Sequence, residues 1–267
     1  MKSTNQAKGL RLGQGMVWLA GVVLAAGIGA GTASATIIQS SNFNGGLGSN
    51  FTINTGTGYT VTDSGAESAF TNVPGGNSMQ LTDNGNATNG GATATSYLHL
   101  TSAEASDSLQ ISFDFEDLQA ATDNYTMTLA NFSGARDIIF NIWTGTSGST
   151  SQISTNANTD NSSTVDLNTW YHATLYVPPS GSYTSGWGYK VVDTSGTVIS
   201  QASGLGFKTM PPGAYDGIQF LFNSVTPTGQ YNVDNVTVAT PEPTAISLLA
   251  LSGLGLLILK PRRRARA

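Results

Sequence analysis

The chain contains no cysteine and only two histidines among its 267 residues. Disulfides, thiolate metal sites and a thiol nucleophile are therefore excluded, and His99 and His172 alone are too few for a histidine-built transition-metal centre. Neither a Gly-x-Ser-x-Gly elbow nor a glycine-rich phosphate loop occurs; the glycines sit in Ser- and Asn-rich turns. Basic charge is scarce as well. Of 11 Lys and Arg, Lys2, Lys8 and Arg11 lie near the N-terminus. Lys260, Arg262, Arg263, Arg264 and Arg266 lie at the C-terminus, leaving Arg136, Lys190 and Lys208 for the long stretch between. That stretch holds every acid except Glu242, 15 of 16, and so carries about −12, against a formal −5 for the whole chain. Such a surface repels phosphate backbones and anionic lipid, which excludes nucleic acid as a partner while leaving neutral glycans and divalent cations open. A sustained 3.6-residue apolar period with caps is also missing, so the middle of the chain does not read as helical.

Two charge-free apolar runs flank this acidic body. Met16 to Ala30 follows the positive leader, and Ala33-Ser34-Ala35 then supplies the small residues a signal peptidase requires. These are the three parts of a secretory signal with cleavage after Ala35; without cleavage the same segment would be a signal anchor. At the other end, Ala245 to Leu259 is a fifteen-residue run without charge. As a helix it reaches about 22 Å, short of a hydrocarbon core of about 30 Å. The five cations directly after it place that side in the cytoplasm and the body across the membrane.

Pro241-Glu242-Pro243, the apolar run and the basic end stand adjacent and in that order, and together they resemble the PEP-CTERM sorting signal. The resemblance implies that a membrane-embedded, transpeptidase-like exosortase reads the tail and cleaves near the motif. Such tails belong to Gram-negative bacteria that also produce exopolysaccharide. Pro241, Glu242, Pro243, Arg262, Arg263 and Arg264 would then be recognition residues for another enzyme, not a catalytic site of this one. The alternative is an ordinary tail anchor. The expected organisation is a signal peptide at 1–35, a body at 36–238 and a sorting tail at 239–267, with apolar segment 245–259 and basic end 260–266. Both flanking apolar runs are expected to be helical, and the inner membrane to hold the chain only transiently before it reaches the cell surface or matrix.

The body reads as strands. Leu109, Ile111, Phe113 and Phe115 alternate with Gln110, Ser112, Asp114 and Glu116, which puts one set on each face of a strand. Tyr171, Ala173, Leu175 and Val177 alternate in the same way with Trp170, His172, Thr174 and Tyr176. Tyr189 to Ser200 reads as a hairpin turning at Asp193-Thr-Ser-Gly196. Pro178-Pro179 and Pro211-Pro212 mark loops, and 147–163 is expected to be a loop or weak edge structure. A dozen or so short strands predict a single all-β domain, an antiparallel β-sandwich held by its core alone.

The segment Val165-Asp-Leu-Asn-Thr-Trp-Tyr-His-Ala-Thr-Leu, with the Asp193 hairpin after it, resembles laminin-G-like and concanavalin-A-like jelly rolls. The ends Ser41-Asn-Phe-Asn-Gly-Gly and Tyr231-Asn-Val-Asp-Asn-Val are similar to those of jelly-roll carbohydrate-binding modules. This implies a structural calcium held by Asp234 with Asn42 or Asn44; the other reading of Asp234 is a turn residue bonded to its own backbone. No cofactor is required. Laminarinase-type enzymes of this fold carry three acids alternating on one strand, whereas this chain has Ser112-x-Asp114-x-Glu116. Serine in the nucleophile's place removes the retaining mechanism, and Asp114 and Glu116 are expected to be solvated acids on a strand face.

Trp170, Tyr176, Tyr183 and Trp187 are candidates for stacking on sugars, with core packing as the alternative, most of all for Trp143. His99 and His172 are expected to be solvated or packed. Three functions remain in order: a non-catalytic secreted envelope or matrix protein, a polysaccharide-binding module (the organism's own exopolysaccharide included), and a glycan-processing enzyme.

Overall fold

The alternating segments become strands in the computed structural model, which describes residues 35–47, 51–55, 58–70, 76–83, 92–97, 107–118, 124–131, 135–144, 150–155, 163–179, 186–208, 215–223 and 229–241. The two flanking apolar runs lie outside these residues, as do Ala33, Glu242, Pro243, Arg262 to Arg264, Pro211 and Pro212. The strands in chain order are β1 (Thr36–Ser41), β2 (Thr52–Thr55), β3 (Tyr59–Ser64), β4 (Ser78–Asp83), β5 (Ala92–Tyr97), β6 (Leu109–Asp117), β7 (Asn124–Asn131) and β8 (Ala135–Thr144). They continue as β9 (Thr150–Thr155), β10 (Thr164–Asp166), β11 (Trp170–Val177), β12 (Trp187–Asp193), β13 (Val198–Leu205), β14 (Gly217–Asn223) and β15 (Gly229–Thr240).

They form two antiparallel sheets. One has the order β13-β12-β11-β6-β15-β4-β3, with β1 also paired to β15; the other has the order β10-β9-β8-β7-β14-β5-β2. All strand pairs fall within Ala35–Pro241, which is one compact unit and holds the whole described core. The all-β, antiparallel, jelly-roll-like β-sandwich expected from the alternation is the fold observed. The segment expected to be loop or weak edge structure contains β9, next to the edge strand β10.

The faces follow from residue type. Leu109, Ile111, Phe113 and Phe115 of β6 are all buried, and Tyr171, Ala173, Leu175 and Val177 of β11 lie beside them in the same core. Phe113 meets Phe140 and Phe220 of the opposite sheet edge-on, at 6.0 and 5.4 Å between ring centroids. Each such ring contributes roughly 1.5–3 kcal/mol by leaving water. Asp117 ends β6 on this inner side and accepts a hydrogen bond from the Ser151 hydroxyl of the other sheet.

The expected hairpin is present. Asp193 Oδ1 accepts the backbone N–H groups of Ser195 and Thr197, each at 2.9 Å, and Gly196 takes the positive φ (82°) that the turn requires. The Ser195 hydroxyl, also bonded to this carboxylate, is the largest of the influences holding the Asp193 carboxyl below its usual range.

Two features of β15 position the site described next. Its core-facing apolar residues are Tyr231 and Val233, then Val236 and Val238, so the phase shifts by one residue between 233 and 236. A β-bulge absorbs the shift: Asp234 faces Asp114, yet Thr237 faces Ser112. Asn235 occupies the extra position at φ 48°, a conformation that asparagine tolerates better than most residues. Strand β15 also runs to Thr240, paired with Thr36 of β1. The sandwich therefore extends two residues past the boundary at 238 expected from the sequence, because Ala239 and Thr240 continue the ladder into the tail motif.

Candidate functional site

Alternation that buries one set of side chains turns the other set onto the outer face of the eight-stranded sheet. Pairing registers arrange that set in rows across the strands. Trp170, Glu116, Asn232, Gln80 and Thr62 form one row, and Val192, His172, Asp114 and Asp234 the next. A third row runs Gln201, Lys190, Thr174, Ser112, Thr237 and Ser40. A fourth runs Gly188, Tyr176, Gln110, Ala239 and Ile37. The middle of the first two rows is covered, at Glu116, Asn232, Asp114 and Asp234, whereas Gln201, Ser40, Tyr176 and Ile37 of the last two are exposed.

In the closed half, Asp114 is 1% exposed and Glu116 8%. They are not the solvated acids expected from the sequence. The residues around Ser68, between β3 and β4, fold over this face. Ser68 donates its hydroxyl to Asp114 Oδ2 (2.6 Å) and its backbone N–H to Asp234 Oδ2 (3.2 Å). Asn235, displaced by the bulge, donates Nδ2–H to the same oxygen of Asp114 at 2.5 Å. His172 lies 2.6 Å from Asp114 Oδ1 through Nδ1. A carboxylate accepts, so Nδ1 is the donor. The imidazole remains one third exposed and lies against the Phe70 ring, centroid to centroid 5.7 Å. In the neighbouring row Asn232 donates Nδ2–H to Glu116 Oε2 (2.9 Å) and accepts from Gln80 Nε2 (3.0 Å).

Burial is the main electrostatic influence here. It raises the Glu116 carboxyl above its ordinary range, with the Asn232 hydrogen bond opposing. It pushes the Asp234 carboxyl up to about 6, against the N–H groups of Asn235 and Ser68; repulsion from Asp114 and Glu67 adds to the rise. The chemistry this network offers is limited. Ser68 gives its proton to Asp114, not to His172, so no hydroxyl is aligned with an imidazole base as acyl transfer requires. Ser112 faces outward in the register of the missing third acid, and the two remaining acids are engaged by protein donors.

The proposed calcium ligands are engaged separately. Asp234 uses both oxygens on backbone N–H groups, the second being Asn235 N at 2.7 Å. Asn42 Oδ1 accepts from Asn44 N (3.4 Å), and Asn44 Oδ1 accepts from Asn77 N (2.9 Å). Among the described residues, no group of three or more His, Asp or Glu side chains is arranged to hold a metal.

The open half contains a groove of about 780 Å³ whose lining includes Tyr176, Gly188, Lys190, Gln201, Ser203 and Pro241. Tyr176, 47% exposed, stands directly opposite Gly188, which has no side chain to cover its ring. Gly188 is required there: a Cβ on it would lie 2.8 Å from the Ala202 carbonyl oxygen, because a register shift draws β13 in close.

Of the aromatic candidates whose side chains are among the described residues, only Tyr176 is exposed. Trp187 is 1% exposed, turned into the core beside Tyr189, with Nε1–H donated to the Gly206 carbonyl at 2.9 Å. Trp170 is 8% exposed, in the closed row beside Glu116. Neither indole therefore offers a face to a sugar. The glycines on either side of Trp187 serve the close approach of β13. Tyr183, His99 and the Trp143 side chain lie outside the described residues. Sequence reasoning missed Ser68, Asn235 and Lys190. Only Asn235 carried a signal, the broken alternation of Val233-Asp-Asn-Val236.

No protein-family model and no curated protein matches the chain. Solved structures do. A PL-14 alginate lyase from Aplysia kurodai aligns at TM-score 0.52 and 12% identity, over 78% of this chain and 100% of the other. The cellulose-induced protein Cip1 aligns at 0.50 and 13%, over 76% and 97%. A carbohydrate esterase from the Shiga toxin-encoding bacteriophage phi24B aligns at 0.50 and 15%, over 78% and 100%. At these identities the likeness establishes the fold.

Proposed function

We propose that this chain is an exported, non-catalytic protein of a Gram-negative envelope or extracellular matrix, and that the open half of its outer sheet face binds a polysaccharide. The observation that carries the binding reading is the groove beside Tyr176. It combines an exposed aromatic ring, a glycine that leaves the ring uncovered, and amide and hydroxyl groups along its side. Aromatic rings stack on the apolar faces of sugars, and a few placed polar groups fix their orientation. The fold shared with an alginate lyase and a carbohydrate esterase supports the same reading. The absence of a turnover role is supported by Ser112 in place of a third acid and by the internal bonding of Asp114 and Glu116.

Export rests on the leader ending at Ala33-Ser34-Ala35, which signal peptidase would cleave, and on the Pro241-Glu242-Pro243 tail, which an exosortase-type enzyme would process. Retention of Ala35–Pro241 on immobilised polysaccharides tests the binding. Saturable retention is expected, with loss in Tyr176→Ala at unchanged melting temperature. A cooperatively melting protein retained on none of them would leave the structural matrix role as the better reading. Deleting residues 241–267 tests the tail: unchanged localisation would remove it as a sorting signal.

A further inference from the structure

The charge of the groove is opposite to that of the body around it. The stretch between the flanking segments carries about −12, yet the described lining of the groove contains no Asp or Glu and one cation, Lys190. Among the described residues, no carboxylate lies within ion-pair distance of the Lys190 ammonium. An ammonium with no carboxylate partner among the described residues, beside the Gln201 amide and the Ser203 hydroxyl, is a site for an acceptor-rich group, and most of all for a carboxylate.

Lys190 does not stand alone. Its row, from Gln201 through Thr174, Ser112 and Thr237 to Ser40, carries an amide or hydroxyl residue on each of the other five strands it crosses, of which Thr174 is buried. At about 4.8 Å between strands, the row spans roughly 24 Å. Beside it runs the row holding Tyr176 and Ile37, which are 47% and 61% exposed. A polar band alongside an apolar one suits a ribbon-shaped ligand with apolar faces and hydroxylated edges, lying across the strands. An anionic lipid surface is disfavoured by the net charge of the body, which one lysine does not offset.

We propose that the groove recognises an acidic glycan segment, with a pyranose ring on Tyr176 and the carboxylate of a neighbouring sugar on the Lys190 ammonium. This rests on the glycan-binding reading above and names its ligand class. The acidic sugar is sparse in the chain, because a polymer charged at each unit meets the repulsion of the acidic body beyond the groove.

The test uses Ala35–Pro241 and three defined probes in titration calorimetry at 0.15 M salt: an oligosaccharide with one glucuronic acid per repeat, its carboxyl-reduced counterpart, and a fully uronic oligoalginate. The carboxylated probe should bind about fivefold tighter than the reduced one, the size of a partly exposed ion pair. Lys190→Gln should abolish that ratio; Tyr176→Ala should weaken both at least tenfold. Oligoalginate should bind more weakly than the singly charged repeat. Equal affinity for the first two probes, or a ratio that survives Lys190→Gln, overturns the acidic assignment and leaves glycan binding intact. No binding of any probe by the folded protein overturns both. Lys190-dependent retention on phosphatidylglycerol vesicles would assign the face to a membrane and overturn the proposal.

Discussion

Replacing Ser68 by alanine removes one oxygen atom and should destabilise the sandwich well beyond what that volume suggests. The hydroxyl donates to Asp114 Oδ2 at 2.6 Å and accepts the backbone N–H of Phe70 at 3.1 Å. Its partner carboxylate is 1% exposed, so water does not readily replace the lost donor. Hydrogen bonds to charged groups contribute about 1.5–3 kcal/mol, and the Phe70 bond about 1. The two share an atom and are not additive, so a loss of about 2–3 kcal/mol is expected. For a domain of this size that lowers the melting temperature by roughly 5–10 °C. Ser78 supplies the control. Its hydroxyl is also fully buried but has no hydrogen-bond partner among the described residues. Ser78→Ala should therefore be neutral or slightly stabilising. Calorimetric melting of Ala35–Pro241 with both variants decides the matter. If Ser68→Ala melts within 1 °C of the parent, or Ser78→Ala costs as much, the buried network is not what holds this cover in place.

Two further outcomes follow from the same geometry. The Asp234 carboxyl, at about 6 in the folded chain against an ordinary 3.8, binds more protons folded than unfolded between those values. Its contribution to stability is thus full below about pH 4 and is lost as pH rises through about 6, on the order of 1–2 kcal/mol after solvent screening. Asp234→Asn should flatten the stability profile over that window, and an unaltered slope would show that another group titrates there. Trp187→Ala should cost about 3–5 kcal/mol by emptying the core beside Tyr189. A variant that melts normally yet loses glycan retention would instead return Trp187 to the binding surface.

Much of the fold was legible because strand alternation is local. Leu109 to Glu116 and Trp170 to Val177 each name their buried face without reference to the rest of the chain, and the Asp193-Thr-Ser-Gly196 turn carries its own chemistry. The site was less legible. Asp114 and Glu116 were assigned correctly to an outward face, but outward is not the same as exposed. Ser68, 46 residues earlier in the chain, closes over that face through contacts that no local pattern encodes. Trp187 shows the opposite limit: it was a stacking candidate by residue type, whereas packing beside Tyr189 and its bond to the Gly206 carbonyl hold it in the core.

By itself, then, the sequence determined the quantities set by residue type and short-range order. These are the acidic balance of the body, the absence of thiol chemistry, the two flanking apolar runs with their basic ends, and the faces of individual strands. Tertiary structure alone decided which outward faces stay open. Sheet order brings β11, β12 and β13 side by side at the groove, and the bulge at Asn235 turns an amide onto Asp114. Both depend on pairings between segments distant in the chain, and pairing energies are read only once the strands meet.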